Sequence, residues 1–558
     1  MEHCFFYNKK LILSFIIFIV TLLVLGIPYT KWGFVADDFG GIWHAKNSDY
    51  KDIPKFFYEG SEDGPEITGP SSLVDAQLEQ QIKFNTKISK PNFEGTLYRP
   101  LSYVLLFLQT KFFDISAYYY FIFIIILHAL NTLLLFKLFL YFFNLYLAFW
   151  GSLFFAFHSS LAGWIGIVGC QKYPLGLIFL LLSIYFLKKY LDASKIQYYL
   201  LSCFIIFISL FFMEHLIVMP IWVFFLIFFY KKNLLKALKI SSGFIFNNIF
   251  YLSLRFFLFP SAHVGSGNLK KAGYLFFSKQ SERFFDYLTY LVNLINLNWL
   301  SGGHRFLKGF LILLICFLLI FPFIYRKKIK DLIFLIFSIL LFSWPVIWLT
   351  HMTRYFYIAI PFFILLVLFS ISFYMEKFAK YKKYIFIFLY FVLIFNTCFL
   401  INTQKKQETK LNIIVSAFKN LANQNITDNK PICFVGLPNT YFGSCNRQAL
   451  YLYKKNYSYP VYYDRKNFIC LNPETNKKMI KILPIKNGFN LKILNSDNWF
   501  CCDKNGASSL GEVHINKLNK FSLPIDITYI FDSRLLKQKP LFVTWDYEKN
   551  KFLILQNF

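Results

Sequence analysis

Two adjacent carboxylates, Asp37 and Asp38, are well suited by type and position to acid–base chemistry. They follow an apolar stretch at residues 11–27 that is long enough to cross a membrane. Ionisable groups at a membrane face are costly and therefore favour a functional site over a simple anchor. Adjacent carboxylates also repel each other, which raises the proton affinity of the pair and makes it a better general base. The alternative is structural, because a carboxylate just outside a span can cap the next helix.

Two arginines have the chemistry to bind an anion. Arg99 and Arg354 carry guanidinium groups, whose forked donors match the oxygens of a phosphate. Each also has a structural interpretation. Arg99 precedes Pro100, a residue typical of the first helical position, so it can mark a helix start. Arg354 can extend to the membrane interface along its apolar stem.

An acid and two histidines complete the candidate set. Glu214 lies within the apolar residues 211–219, so it needs a partner or a substrate. His215 follows it directly, and His158 lies near the end of another apolar stretch. A hydrogen-bonded packing role is the alternative for His158.

The composition excludes an ordinary soluble protein. Hydrophobic residues make up 56% of the 558 residues, the chain contains 73 Phe, and the mean hydropathy is +0.47. The net charge of +29 would suit a nucleic-acid partner, but the Lys and Arg residues concentrate in short segments between apolar stretches. That distribution is the positive-inside pattern of membrane proteins. We therefore expect a membrane protein and no nucleic-acid partner.

Hydropathy predicts about eleven membrane-spanning helices. A cytoplasmic N-terminus places the main Lys and Arg clusters on one side. Residues 284–300 are also apolar, but their Asp and Asn residues indicate an interfacial or re-entrant helix instead of a further span. The spans are predicted near residues 11–29, 117–140, 145–164, 172–188, 197–213, 215–230, 240–258, 308–325, 331–349, 355–374 and 384–401.

This topology brings the polar candidates to one face of the membrane. They come from separate parts of the chain, and their convergence on the outer face is typical of an active site assembled between helices. The residues concerned are Asp37, Asp38, Arg99, His158, Glu214, His215, Arg354 and Tyr355.

The order and spacing of these motifs resemble the glycosyltransferase C superfamily, especially protein O-mannosyltransferases, other membrane mannosyltransferases and a related bacterial set. The resemblance covers about residues 11–400 and rests on residues 36–39, 98–102, 128–131, 155–159, 212–220 and 354–361. Three positions depart from the pattern. Met213 stands where those proteins tend to have Lys, Lys172 where they tend to have Arg, and Ser159 where a Pro often follows the histidine. These departures bear on the identity of the donor sugar.

The resemblance implies an all-α polytopic membrane domain at residues 1–401 that transfers a sugar from a polyprenyl-phosphate donor. The acceptor would be a protein, a lipid or a glycan at the external face, among membrane lipids. No cofactor is certain, and participation of a divalent metal ion stays open. The implied roles are catalysis by Asp37, Asp38 and Glu214, donor-phosphate binding by Arg99, Arg354, Tyr355 and Lys172, and substrate binding by His158 and His215.

Two regions lie outside the predicted spans. Residues 30–116 form a long external loop, whose acidic part suits either a mobile lid over the acceptor or a solvated segment. At the end of this loop, residues 100–113 favour an amphipathic interfacial helix. Residues 402–558 contain short β-like runs at 431–435, 460–463, 527–530 and 541–545, which predict an external soluble α/β domain.

Other functions remain open from the residues alone. A secondary transporter would also be polytopic, but it should show internal repeats and ionisable residues near the bilayer midplane. A non-catalytic scaffold would not need Asp37 and Asp38. Within enzymes, the nearest alternative is an oligosaccharide ligase or polymerase with a diphosphate-linked donor. The expected location is the cell inner (plasma) membrane, or the endoplasmic reticulum membrane in a eukaryote.

Overall fold

The computed structural model describes the chain in several stretches. These are residues 2–26, 34, 37–46, 48–58, 99–158, 161, 167–258, 305–343 and 356–423, together with strands between residues 432 and 555. The segment predicted to be interfacial or re-entrant, residues 284–300, lies outside the described residues, as does most of the external loop after residue 58.

The described part of the chain is mostly helical. Its helices are α1 (Glu2–Gly26), α2 (Asp37–Lys46), α3 (Lys55–Tyr58), α4 (Pro100–Phe113), α5 (Ala117–Phe139), α6 (Leu145–Ala156), α7 (Lys172–Ala193), α8 (Ile196–Leu210), α9 (Met219–Lys231), α10 (Leu234–Leu258), α11 (Arg305–Tyr325), α12 (Ile329–Phe342), α13 (Ile360–Lys377) and α14 (Lys382–Asn423). Short 3₁₀ turns at Tyr50–Asp52, Val168–Gln171, Glu214–Val218 and Ala379–Tyr381 join some of them.

Within the described residues, six helical segments are long and apolar enough to cross a membrane. They are Lys9–Gly26, Ala117–Phe139, Val168–Ala193, Glu214–Lys231, Ile360–Lys377 and Ala379–Lys405. The chain is therefore a membrane protein with helical spans. Helices also occupy the other predicted span positions, but several are short: α6 ends at Ala156 after 12 residues and α8 has 15. A helix of 12 residues reaches only about 18 Å, less than the hydrocarbon core, so the count of eleven spans stays a prediction.

Helix boundaries follow local chemistry. Asn144 caps α6, since its side-chain oxygen accepts a hydrogen bond from the Leu147 N–H at 3.0 Å. Pro100 occupies the first turn of α4, where its missing N–H costs nothing. Helices α7 and α9 end at Ser194 and Lys232, which adopt the left-handed conformation that stops a helix.

Polar side chains tie the helices to one another inside the apolar bundle. Ser183 of α7 and Ser202 of α8 bond through their hydroxyls at 2.8 Å, and the Trp222 indole donates to the Ser338 hydroxyl at 2.9 Å. The amide of Asn247 in α10 donates to the Cys203 carbonyl at 2.7 Å. Such bonds hold helices together where lipid offers no hydrophobic driving force between them.

Polar residues at the helix ends make contacts between neighbouring segments. Lys188 near the end of α7 sits over the Tyr141 ring at 4.9 Å, and Arg326 after α11 pairs with Glu376 in α13. Tyr230 of α9 bonds to Asp331 of α12 at 3.2 Å. These contacts join the end of α7 to the turn between α5 and α6, the end of α11 to the end of α13, and the end of α9 to the start of α12.

Strands follow the long helix α14. A four-stranded sheet has the order β2-β1-β8-β9, with β1 parallel to β2 and β8, and a five-stranded antiparallel sheet has the order β3-β4-β7-β6-β5. The strands are β1 (Ile432–Phe434), β2 (Val461–Tyr463), β3 (Ile480–Ile485), β4 (Gly488–Ile493), β5 (Gly506–Ser508), β6 (Gly511–Ile515), β7 (Ile525–Phe531), β8 (Leu541–Asp546) and β9 (Lys551–Leu555). β1, β2, β7 and β8 coincide with the four predicted β-like runs.

Candidate functional site

A buried ion pair between Arg99 and Glu214 forms the centre of the candidate site. Nε of Arg99 donates to Oε2 of Glu214 at 2.5 Å, and Nη2 donates to Oε1 at 2.6 Å. The side chain of Arg99 is 3% exposed and that of Glu214 is 16% exposed. This two-pronged geometry is the strong form of an arginine–carboxylate pair. The two opposite charges compensate each other in the interior, where an isolated charge would be energetically costly.

The backbone explains how these two residues meet. Arg99 immediately precedes α4, while Glu214 opens the 3₁₀ turn Glu214–Val218 between α8 and α9. The Leu101 N–H donates to the Phe211 carbonyl at 3.2 Å, and the Ser102 hydroxyl donates to the Phe212 carbonyl at 3.1 Å. The start of α4 is thus fastened to the end of α8, which aligns the two charged side chains.

A further cation lies beside this pair. Lys172 is the first residue of α7, and its charge acts on His215 together with the charges of Arg99 and Glu214. The rings of Tyr173 and His215 lie 5.9 Å apart between centroids. Glu214 is paired with Arg99, and Lys172 supplies a second cation near His215, so the region offers cationic groups to an anionic ligand.

Asp38 contacts the turn that leads into Lys172. It lies in α2, is 4% exposed, and its Oδ1 accepts a hydrogen bond from the Gly169 N–H at 3.2 Å. Gly169 belongs to the 3₁₀ turn Val168–Gln171, which leads directly into Lys172. The structure therefore bonds Asp38, one of the two predicted basic carboxylates, to a residue three positions before Lys172, a predicted phosphate ligand.

Helix α2 is held in place by α4. Lys111 donates to the Ser48 carbonyl at 2.8 Å, and Lys46 pairs with Asp114 at 2.5 Å. Gln109 of α4 also donates to the Gln171 side chain at 2.8 Å. The helix predicted at residues 100–113 is thus present with those bounds, and it links α2, the turn before α7 and the Arg99–Glu214 pair.

The remaining predicted site residues are described to different extents. His158 follows α6 and is fully buried, and its carbonyl accepts from the Leu161 N–H at 3.0 Å. Asp37 begins α2, but its side chain lies outside the described residues. Arg354 and Tyr355 also lie outside the described residues. Among the side chains that are described, no group of three or more His, Cys, Asp or Glu is arranged to hold a metal ion.

Sequence reasoning missed two relationships. Arg99 and Glu214 were assigned separate tasks, whereas the structure pairs them. His128, Asn131 and Tyr357 were noted only within motifs, whereas the structure joins them by hydrogen bonds. The available signal was their chemistry, since polar side chains inside an apolar span need partners.

Comparisons with known proteins found no matching family model and no matching curated protein. The case for a function therefore rests on the residues and on their geometry.

Proposed function

We propose that the protein is a membrane glycosyltransferase that transfers a sugar from a polyprenyl-phosphate donor to an acceptor at the external face of the membrane. The fold would be glycosyltransferase C-like, with about eleven spans and an external C-terminal α/β domain. The observation that carries the proposal is that Arg99, Glu214 and Lys172 gather around His215, while the Asp38 carboxylate accepts a hydrogen bond from Gly169, three residues before Lys172. The resemblance of the motif order supports it.

The chemistry needs one base and one cationic group. Asp38 or Asp37 takes the proton of the acceptor hydroxyl. The hydroxyl oxygen of the acceptor attacks the anomeric carbon of the sugar in the same step. The bond between that carbon and the phosphate oxygen breaks, and its electron pair leaves with the lipid phosphate. The phosphate gains negative charge in this step, which a fixed cation stabilises in a site that excludes water.

Lys172 and Arg354 are the proposed phosphate ligands, together with Arg99 and Tyr355. Both carboxylate oxygens of Glu214 are bonded to Arg99, so the main role of Glu214 in this proposal is to hold that guanidinium in position. A preorganised cation costs no rearrangement at the moment of reaction. His158 and His215 are assigned to the substrate, and no step of the proposal passes through a metal.

The test is transfer by purified protein in lipid nanodiscs. Synthetic polyprenyl-phosphate sugars that differ in the sugar would be offered beside the same sugars on polyprenyl diphosphate, with release of the lipid phosphate as the readout. Release from a monophosphate donor in wild type, and its loss in Asp37→Asn or in Asp38→Asn, supports the proposal. Release from the diphosphate donor alone would favour a ligase or polymerase. Binding of either lipid without turnover would favour a scaffold or transporter.

A further inference from the structure

Three buried polar side chains, His128, Asn131 and Tyr357, are joined by hydrogen bonds inside the bundle. Nδ1 of His128 lies 2.7 Å from the hydroxyl of Tyr357, and Nε2 lies 3.1 Å from the carbonyl oxygen of Ala156. Nδ2 of Asn131 donates to the Pro174 carbonyl at 2.7 Å and to the Tyr357 hydroxyl at 3.2 Å. All three side chains are fully buried.

The partners fix the direction of each bond. The Ala156 carbonyl can only accept, so Nε2 of a neutral His128 carries the proton and Nδ1 is an acceptor. The Tyr357 hydroxyl therefore donates to Nδ1 and accepts from the Asn131 amide. The Pro174 carbonyl likewise accepts only, which sets the orientation of that amide. Each member can thus make these bonds in one arrangement only.

Aromatic packing limits the same side chains further. The Phe155 ring lies 5.0 Å from the His128 ring and 5.4 Å from the Tyr357 ring between centroids. The His128 and Tyr357 rings lie 5.7 Å apart. Removing the Tyr357 hydroxyl alone would leave this packing in place, so the hydrogen bonds can be tested separately from ring volume.

The network connects α5 to three other segments, and each segment bears site residues. Ala156 lies two residues before His158, and Pro174 lies two residues after Lys172. Tyr357 lies three residues after Arg354, so the two Cα atoms are at most about 11 Å apart by chain length. Bonds at these three points therefore act close to residues assigned to substrate or donor.

We infer that His128, Asn131 and Tyr357 form a positioning unit that sets the relative placement of the segments carrying His158, Lys172 and Arg354. They act through the backbone at Ala156 and Pro174 and through the chain at Tyr357, without contacting the substrate. The catalytic consequence rests on the proposed function. The placement of the segments does not depend on the proposed function.

The experiment compares variants of the full-length protein in nanodiscs. Tyr357→Phe removes the hydroxyl that bonds to His128, and His128→Leu removes both ring nitrogens. His128→Gln retains the network, because its amide nitrogen can donate to Ala156 and its amide oxygen can accept from Tyr357. Thr132→Val is the matched control: the fully buried Thr132 hydroxyl bonds to the His128 carbonyl of its own helix at 2.9 Å, so its loss cuts no tie between helices.

The first measurement is local hydrogen exchange in peptides covering residues 153–158 and 168–176. We expect exchange there to rise about tenfold in Tyr357→Phe and His128→Leu, as for local opening of a weakened tertiary contact. Thr132→Val and His128→Gln should stay near wild type. Equal exchange in Tyr357→Phe and Thr132→Val would overturn the inference, whatever reaction the protein performs.

The second measurement is sugar transfer. Because the misplaced segments carry proposed donor ligands, kcat should fall by about 10- to 100-fold and the KM for the donor should rise. His128→Gln should recover most of the lost rate. Faster exchange with an unchanged kcat would overturn the positioning role. If wild type releases lipid phosphate from none of the donors, the proposed function fails. The hydrogen-exchange comparison alone then supports or overturns the inferred placement of the segments.

Discussion

Arg99 and Glu214 are 115 residues apart in the sequence, yet two hydrogen bonds of 2.5 and 2.6 Å join their side chains in the interior. Neither residue is tolerable there alone, because a buried charge without a partner costs several kcal/mol. The pair therefore couples the start of α4 to the turn before α9, and it holds the guanidinium beside Lys172 and His215.

The first prediction concerns the stability of this pair. Arg99→Met and Glu214→Gln should each destabilise the protein by about 3–5 kcal/mol, since each leaves one charge buried without its partner. The double variant should lose clearly less than the sum of the two. Thermal unfolding in detergent measures this, with the exposed Lys188–Asp192 pair as control, where Lys188→Met should cost about 0.5 kcal/mol or less. Additive losses in the double variant would mean that the two residues are not coupled.

A second prediction separates charge from shape at Asp38. Asp38→Asn keeps an oxygen that can accept from the Gly169 N–H but removes the base. At least one of Asp37→Asn and Asp38→Asn should lower transfer by about 10²- to 10⁴-fold with little loss of folded protein. Asp192→Asn is the control, because Asp192 is an exposed partner of Lys188 at the end of α7, away from the site. Near-normal transfer in both single variants would assign the pair a structural role.

The third prediction concerns recognition of the donor by Arg354. Arg354→Lys should weaken donor use about tenfold or more, although charge is retained, because Lys cannot reproduce the forked geometry of a guanidinium on a phosphate. An arginine that only reaches the interface should accept Lys at almost no cost. The apparent donor affinity would be measured beside Arg305→Lys at the start of α11. Equal small effects at both positions would remove Arg354 from the phosphate site.

A fourth prediction tests helix packing at Gly151 in α6. A Cβ atom at this position would lie 2.5 Å from Cδ1 of Leu368 in α13, so Gly151→Ala forces the two helices apart or Leu368 aside. Overpacking of this kind typically costs about 1–3 kcal/mol. Gly169→Ala is the control for stability, since no atom lies within 4 Å of its added Cβ. The double variant Gly151→Ala/Leu368→Ala should lose less than the sum of the two single losses, because the smaller side chain removes the clash; additive losses would place the strain elsewhere.

The fifth prediction concerns topology. A membrane-impermeant maleimide should label Glu62→Cys and Lys478→Cys from outside, and Lys328→Cys only after the membrane is opened. All ten native cysteines are replaced by Ser in each variant, so that the introduced cysteine is the target of the label. Labelling of positions 62 and 328 from the same side would contradict the assignment of the site to the outer face.

The sequence by itself determined where the apolar helices form, but not α2, which lies in the predicted loop at residues 30–116. Hydropathy placed a helix at every predicted span, because long apolar stretches with satisfied backbone bonds have few alternatives in lipid. Local chemistry was equally decisive for α4, where Pro100 fixes the first turn and the predicted and observed bounds coincide.

Only the tertiary structure decided which polar groups meet. No local sequence pattern shows that Arg99 pairs with Glu214 and not with a substrate, or that the Tyr357 hydroxyl bonds to His128. Each of these contacts joins chain segments more than a hundred residues apart. The tertiary structure also decided where α6 ends. The helix stops at Ala156 and Phe157 leaves helical geometry, although the apolar sequence favours a longer helix. Hydropathy measures the transfer of each residue into lipid, whereas these contacts depend on how helices pack, and that is a property of the whole bundle.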